Sequence, residues 1–502
     1  MKGNYLKLII TFVVCVFSAV SCTNDFEEIN TNPNQPEDLS TPGLLLPAII
    51  RESLNDSYNG SWNRGNIVAD YLADQFVSAF DWSPADAEGY FLWTYYDRLR
   101  NVMTMHDLAL ESDLKNYQGI ALVWKSFLFH SMTDIYGDIP YSEAVKAKTD
   151  NVNFPRYDRQ EDIYNGILAD LKEANSLLST SNEAVSGDIL YNGDILKWKK
   201  FANSLRLRCL LRISGRKDPS AEMHEIVSNP GAYPIFTGNQ DQAALQYLDQ
   251  LGNEFPRYRA FGFGASAAEN LVNVLKGLND PRLYVFAQAT PSTAESANPE
   301  YVGVPNGIAN ESTFNGGPAN QSLPGLLWAP ISANPDLASK TAVQTLIMTY
   351  AELQLILAEA AENGYITGNA SDYYQAGIHA ACDYYASRIP DNYTFPKPTD
   401  VIPGDSYFAQ DAVAYSGTHD EKLKKIWTQK WISLYNVGFE GWSEWRRTGV
   451  PEIKPGPNSL GFVPVRFLYP LSEQNANQAN YAAAVAVQGP DNTQTRVWWD
   501  ID

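Results

Sequence analysis

The amino-acid sequence predicts a mainly α-helical protein in which paired helices carry long irregular loops. Apolar residues recur at helical spacing through most of the chain, as in Trp124, Phe127, Leu128, Met132 and Ile135, the 3.6-residue stripe of a helix with one buried face. Successive helical segments are joined by short connectors, with small residues such as Ala358, Ala360 and Ala361 where helices must approach closely. That is the pattern of stacked helical hairpins. Between the helical blocks lie three stretches rich in Gly, Pro, Asn and aromatic residues, 229–264, 287–340 and 390–416, longer than simple connectors and therefore candidates for functional loops. No strict 34-residue period is present, so a tetratricopeptide-like arrangement is read from helix pairing and not from a repeat.

Residues 1–21 read as a signal peptide, with Lys2 and Lys7, an apolar run from Leu8 to Val20, and the small Ser21. The run is shorter than the roughly 20 apolar residues that span a membrane. AVSC, ending at Cys22, resembles a bacterial lipobox with Ala19 in place of the more usual Leu. Cys22 is therefore expected to become the acylated N-terminus, each buried acyl CH₂ contributing about 0.8 kcal/mol to anchoring. Asp25, Glu27 and Glu28 follow, an acidic start that resembles the surface-export signal of Bacteroidota lipoproteins. Residues 22–42 have few apolar side chains and several turn formers, and are expected to tether a helical domain over 43–502.

Within that domain, helices are expected over 42–58, 64–80, 90–110, 114–136, 159–178, 194–214, 265–278, 341–363, 371–387 and 419–435. The last opens with Thr418 and Glu421 at capping-box spacing and carries Leu423, Ile426, Trp427, Trp431, Leu434 and Tyr435 as one stripe. Gly438 and Gly441 then interrupt the helical pattern around Phe439, Trp442 and Trp445. Each large aromatic buries roughly 150–250 Å², so the stretch 422–449 is expected to close a core. Glu440, Glu444, Arg446 and Arg447 are expected to form ion pairs in it or at its rim. Cys209 and Cys382 fall on apolar stripes and read as small buried residues, not as a disulfide framework.

By length the chain can hold one large domain or several smaller ones. A formal charge of −21 argues against nucleic acid, which needs clustered Lys and Arg, and leaves uncharged polymers and peptides open. His106, His130, His224, His379 and His419 show no metal-ligand spacing, and no phosphate-cradling glycine loop is present, so neither metal nor cofactor is expected. A glycosidase needs two carboxylates roughly 5 to 9.5 Å apart across a bond. Asp70 with Asp74, and Glu440 with Glu444, are four residues apart, and on one helical turn each pair shares a face instead. Glycan binding asks for aromatic faces against sugar C–H patches, with amides, carboxylates or Arg bonding the hydroxyls. The loops offer Asp81 with Trp82; Arg257, Tyr258, Phe261 and Phe263; and Phe314, Asn315, Asn320 and Trp328. For each aromatic the alternative is a ring pinned into the scaffold.

Six blocks carry a wider likeness: NTNPN at 30–34, DIYGDIPYSEA at 134–144, YNGDILKWKKFANSLRLRCLLRIS at 191–214, MTYAELQLILAEAAENGYI at 348–366, QKWISLYNVGFEGWSEWRRTG at 429–449 and RFLYPLSEQNANQANY at 466–481. In this order, behind a lipobox, they resemble the SusD/RagB family of nutrient-binding outer-membrane lipoproteins, in its SusD-like branch. The resemblance implies one mainly α domain in which four tetratricopeptide-like helix pairs carry ligand-binding loops, and no catalytic step. It also implies a lipid-anchored protein on the outer face of the outer membrane that delivers starch or another oligosaccharide to a SusC-like TonB-dependent transporter. A peptide-binding RagB-like protein and a surface glycoside hydrolase are the alternatives.

Overall fold

The structure is a computed structural model that describes residues 41–74, 92–258, 264–329, 335–459 and 461–501. Among the described residues, those from 43 onward belong to one compact unit.

Within this unit, side chains that accept hydrogen bonds set several helix starts. Helix α1 (Leu46–Gly60) begins with a proline in its first turn, where the missing N–H costs nothing. It is followed by α2 (Tyr95–Glu111), α3 (Lys115–Tyr136) and α4 (Gln160–Leu177). Asp194 caps α5 (Ile195–Arg212) by accepting from the Lys197 N–H at 3.2 Å. After α6 (Ser220–Ser228) and α7 (Glu269–Gly277), Thr349 caps α8 (Tyr350–Glu362) and Asn369 caps α9 (Ala370–Ala386). Helix α10 (His419–Ser433) opens with the reciprocal capping box of Thr418 and Glu421, as the sequence predicts. Helices α11 (Gly438–Thr448), α12 (Leu471–Ala476) and α13 (Gln478–Gln488) complete the series.

Helix α2 packs on α3, α4 on α5, α8 on α9 and α10 on α11, and contacts of α3 with α4, α5 with α8 and α8 with α10 chain the pairs together. The four helix pairs enclose a core whose largest members include the fully buried Trp124, Trp198, Trp431, Trp442 and Trp499. Strands are few and short. Antiparallel pairs join β1 (Leu72–Asp74) to β5 (Ala265–Ala267), β2 (Ile139–Pro140) to β3 (Tyr157–Asp158), and β4 (Ala243–Gln246) to β6 (Gln344–Met348). No helix among the described residues is long and apolar enough to cross a membrane. Cys209 and Cys382 are buried free thiols.

Three expected helices are shorter than expected, one at its end and two at their starts. Over 64–80, helical turns end at Val68 and the chain turns through Asp70, with φ 60°, into strand β1; positions 75–80 lie outside the described residues. In 265–278 and 341–363 the first residues are strands β5 and β6. Their apolar runs are too short for periodicity to separate strand from helix, and pairing with partners far along the chain decides the matter.

The segment 438–448 corrects the sequence reading in the other direction, because its glycines do not interrupt a helix but let one approach its neighbours. A methyl group at Gly438 would run into the backbone of Gly65 and Asn66, and one at Gly441 into the Tyr71 ring. Gly441→Ala is therefore expected to lower stability by about 1–3 kcal/mol through overpacking. Gly277→Ala, where nothing lies within 4 Å, is expected to be neutral or slightly stabilising. Thermal unfolding of the two variants checks the contrast.

Five helices meet at a buried ionic centre. Arg208 of α5 grips Glu352 of α8 through two bonds of 2.6 Å. Arg212 of α5 pairs with Glu440 of α11 and stands 3.2 Å from Asp134 of α3. Lys430 of α10 reaches Glu444 at 2.8 Å, and Arg447 joins Glu444 to Glu359 of α8. Burial pushes the Glu440 carboxyl up, but the Arg212 and Arg208 guanidiniums bring it down to about 2. Arg446 departs from its expected ion pair. Its guanidinium lies 3.7 Å from the Trp442 ring centre and donates to the Val465 and Asp134 carbonyls.

Candidate functional site

Antiparallel pairing of β4 with β6 places Gln246 opposite Gln344, so the loop leaving β4 and the loop entering β6 emerge side by side. Arg388, just past the end of α9, fastens that end. It donates to the Ala342 and Thr341 carbonyls and to the Gln246 side chain, which draws the chain after α9 to the same place. The Phe255 N–H donates to the Lys340 carbonyl at 2.9 Å, Asn392 to the Asp336 carbonyl at 2.8 Å and the Tyr393 hydroxyl to the Leu337 carbonyl at 3.1 Å.

These loops border a cleft of about 630 Å³ whose lining includes Tyr258, Asp249, Lys340, Thr341, Asp336 and Asn392, within the roughly 300–1,000 Å³ usual for small-molecule sites. All three irregular stretches of the sequence contribute to it. Lys340 pairs with Asp249 and stands 5.7 Å from the Tyr258 ring centre. The cleft thus offers one aromatic ring beside an ammonium, two carboxylates, an amide and a hydroxyl, the donor and acceptor mixture that polyhydroxylated ligands require.

The sequence-predicted residues fare unequally. Tyr258 lines the cleft. Arg257 beside it turns inward, its guanidinium 4.2 Å from the ring centre of buried Trp62, and burial lowers its pKa. Asn315 and Asn320 spend their amides on each other's carbonyls at 3.0 and 3.1 Å, and Gln321 holds the Phe314 carbonyl, so this loop is stapled to itself with Phe314 half-buried. Trp328 is 3% exposed and packs against Tyr435, Tyr385 and Phe286. Of the two readings open for this ring, the structure shows the one pinned into the scaffold. Asp81, Trp82, Phe261, Phe263 and Cys22 lie outside the described residues.

Asp249, Lys340, Asp336 and Asn392 are not singled out by sequence; the only signal for them is membership of the long irregular stretches. The Glu440 and Glu444 carboxylates belong to the buried ionic centre and not to the cleft. Near that centre, His130, Asp134 and Glu440 present ligand atoms within 4.8 Å of one another around a small cavity of about 40 Å³. Arg212 already engages both carboxylates, so a cation there would have to displace a guanidinium.

The family model SusD-like_2, described as "Starch-binding associating with outer membrane", matches residues 33–470. An outer membrane protein of Bacteroides vulgatus ATCC 8482, described in connection with nutrient binding, is similar in structure with a TM-score of 0.79 and 28% identity, over 92% of this chain and 100% of that one. A SusD homologue from Bacteroides fragilis NCTC 9343 gives 0.78 and 28%, over 92% and 99%. A chitin-binding protein gives 0.76 and 28%, over 92% and 100%. No curated protein sequence matches the chain. The family match spans most of the sequence, the solved structures share its helical architecture, and the chain belongs to the SusD-like family.

Proposed function

We propose that this protein captures an oligosaccharide at the cleft between the β4, β6 and α9 loops and delivers it to a SusC-like TonB-dependent transporter. In this reading acylated Cys22 anchors it on the outer face of the outer membrane. The observation that carries the proposal is the convergence of all three irregular stretches on one cleft holding Tyr258, Lys340, Asp249 and Asn392. The family description as starch-binding and the chitin-binding relative support a neutral glycan as ligand. A strongly acidic chain repels polyanions at long range and leaves neutral sugars unaffected.

Calorimetric titration with maltooligosaccharides, chitooligosaccharides and a peptide panel tests this reading. A glycan is expected to bind, and Tyr258→Ala to weaken it by about 1–3 kcal/mol, the usual contribution of an aromatic stacking platform. Tighter binding of peptides than of any glycan would favour the RagB-like alternative. Reducing ends released by the purified protein would overturn a binding role without catalysis. Unchanged affinity in Tyr258→Ala would remove the cleft from the site.

A further inference from the structure

A second cleft, of about 500 Å³, shares no lining residue with the first; its walls include Arg159, Arg216, Arg496, Trp498, Val487 and Ile501. Three guanidiniums gathered in one cleft stand out on a chain of charge −21. They come from separate parts of the sequence, just before α4, just after α5 and near the end of the chain.

How these arginines are held leaves donors unspent. Arg159 is anchored through Nε, 3.0 Å from Asp138 Oδ2. Arg216 is also anchored through Nε, which donates to the Trp498 carbonyl at 2.6 Å. Among the described residues, the Nη groups of these two arginines donate to no protein acceptor, and Arg216 pairs with no carboxylate. Arg496 is committed to Asp500 through Nη1. The two carboxylates lie beneath, with side chains 4% and 0% exposed, while Arg159 and Arg496 are 48% and 46% exposed. Among the described lining residues, three guanidiniums thus stand over two buried carboxylates, and two of the three keep their Nη groups unspent.

Forks of this kind bind carboxylates and sulfates with charge-assisted hydrogen bonds. Beside them, half-buried Trp498 and the exposed side chains of Val487 and Ile501 form an apolar wall. An inorganic anion would leave that wall bare; a ring bearing a carboxylate covers it. The overall negative field does not forbid such a ligand, because charges beyond about 8 Å are screened at physiological salt.

We propose that this cleft is a binding site for an acidic sugar unit, its carboxylate held by Arg216 and Arg159 and its ring lying on the Trp498 wall. This does not depend on the function proposed for the loop cleft. The probes are glucuronate, glucose and inorganic sulfate, titrated calorimetrically into the full domain at physiological ionic strength, where the long-range field is screened. Glucuronate is expected to bind, glucose not, and sulfate more weakly than glucuronate. Arg216→Met is expected to weaken glucuronate by about tenfold or more, the scale of one charge-assisted fork, with Arg216→Lys recovering part of the loss and both variants retaining a cooperative thermal transition. Three results overturn the proposal: no binding of glucuronate to the wild type, equal affinity for wild type and Arg216→Met, or sulfate binding as tightly as glucuronate.

Discussion

Replacing Arg212 with methionine is expected to cost about 3–5 kcal/mol of stability, the scale on which removal of one partner strands buried charges. Its side chain is 1% exposed and faces three carboxylates from two helices: Asp134 at 3.2 Å, Glu440, and Glu444 at 3.8 Å. Methionine has comparable length but leaves the carboxylates with less positive charge in the same dry volume. Urea unfolding at pH 7 measures the loss. The loss should shrink on acidification, because Glu440 is held at about 2 in the native protein against roughly 4.3 when unfolded. A depressed carboxyl contributes stability at neutral pH that disappears as pH falls from about 4 towards 2. A cost below 1 kcal/mol would mean that Arg208 and Lys430 compensate fully. Where the variant remains folded, its glycan affinity should match the wild type, because the ionic centre supports the loops without lining the cleft.

That separation of scaffold from site explains what could be read from the sequence. Stripes such as that of α3 and caps such as Thr418 with Glu421 record local geometry, so α3, α4, α5, α9 and α10 were legible to within a few residues. Helix α11 was not. Gly438 and Gly441 look like breakers until Gly65 and Tyr71, far away in sequence, are seen against them. The cleft was half legible for a similar reason. Irregular composition marked all three contributing stretches, but Asp249, Lys340 and Asn392 become neighbours only through the β4–β6 pairing and the Arg388 fastening. Trp328 shows the converse: its loop setting suggested a ligand platform, and its partners Phe286, Tyr385 and Tyr435 are likewise distant in sequence.

Asp70→Asn is expected to stabilise the protein at pH 8 by about 2–3 kcal/mol and to have almost no effect at pH 4. Asp70 is 8% exposed, and its Oδ1 accepts from Asn306 Nδ2 at 2.7 Å. Burial raises the carboxyl to about 6, against the smaller opposing effect of hydrogen bonds from Asn306 and Asn270. The sign is opposite to that of Glu440. Below about pH 4 Asp70 is protonated in both folded and unfolded chains, and the site costs nothing. As pH rises from about 4 to 6 the unfolded chain releases its proton while the native one retains it, so native stability falls, and above 6 the full penalty is present. Asparagine removes the ionisation, keeps the acceptor for Asn306 Nδ2 and adds a donor beside a buried Asn306 Oδ1 that has no hydrogen-bond partner. It also tolerates the left-handed backbone at this position, φ 60°. Urea unfolding of wild type and variant at pH 4 and pH 8 tests the linkage. An equal gain at both pH values would assign the effect to packing or backbone preference, and no gain at pH 8 would mean that Asp70 ionises in the folded protein without penalty.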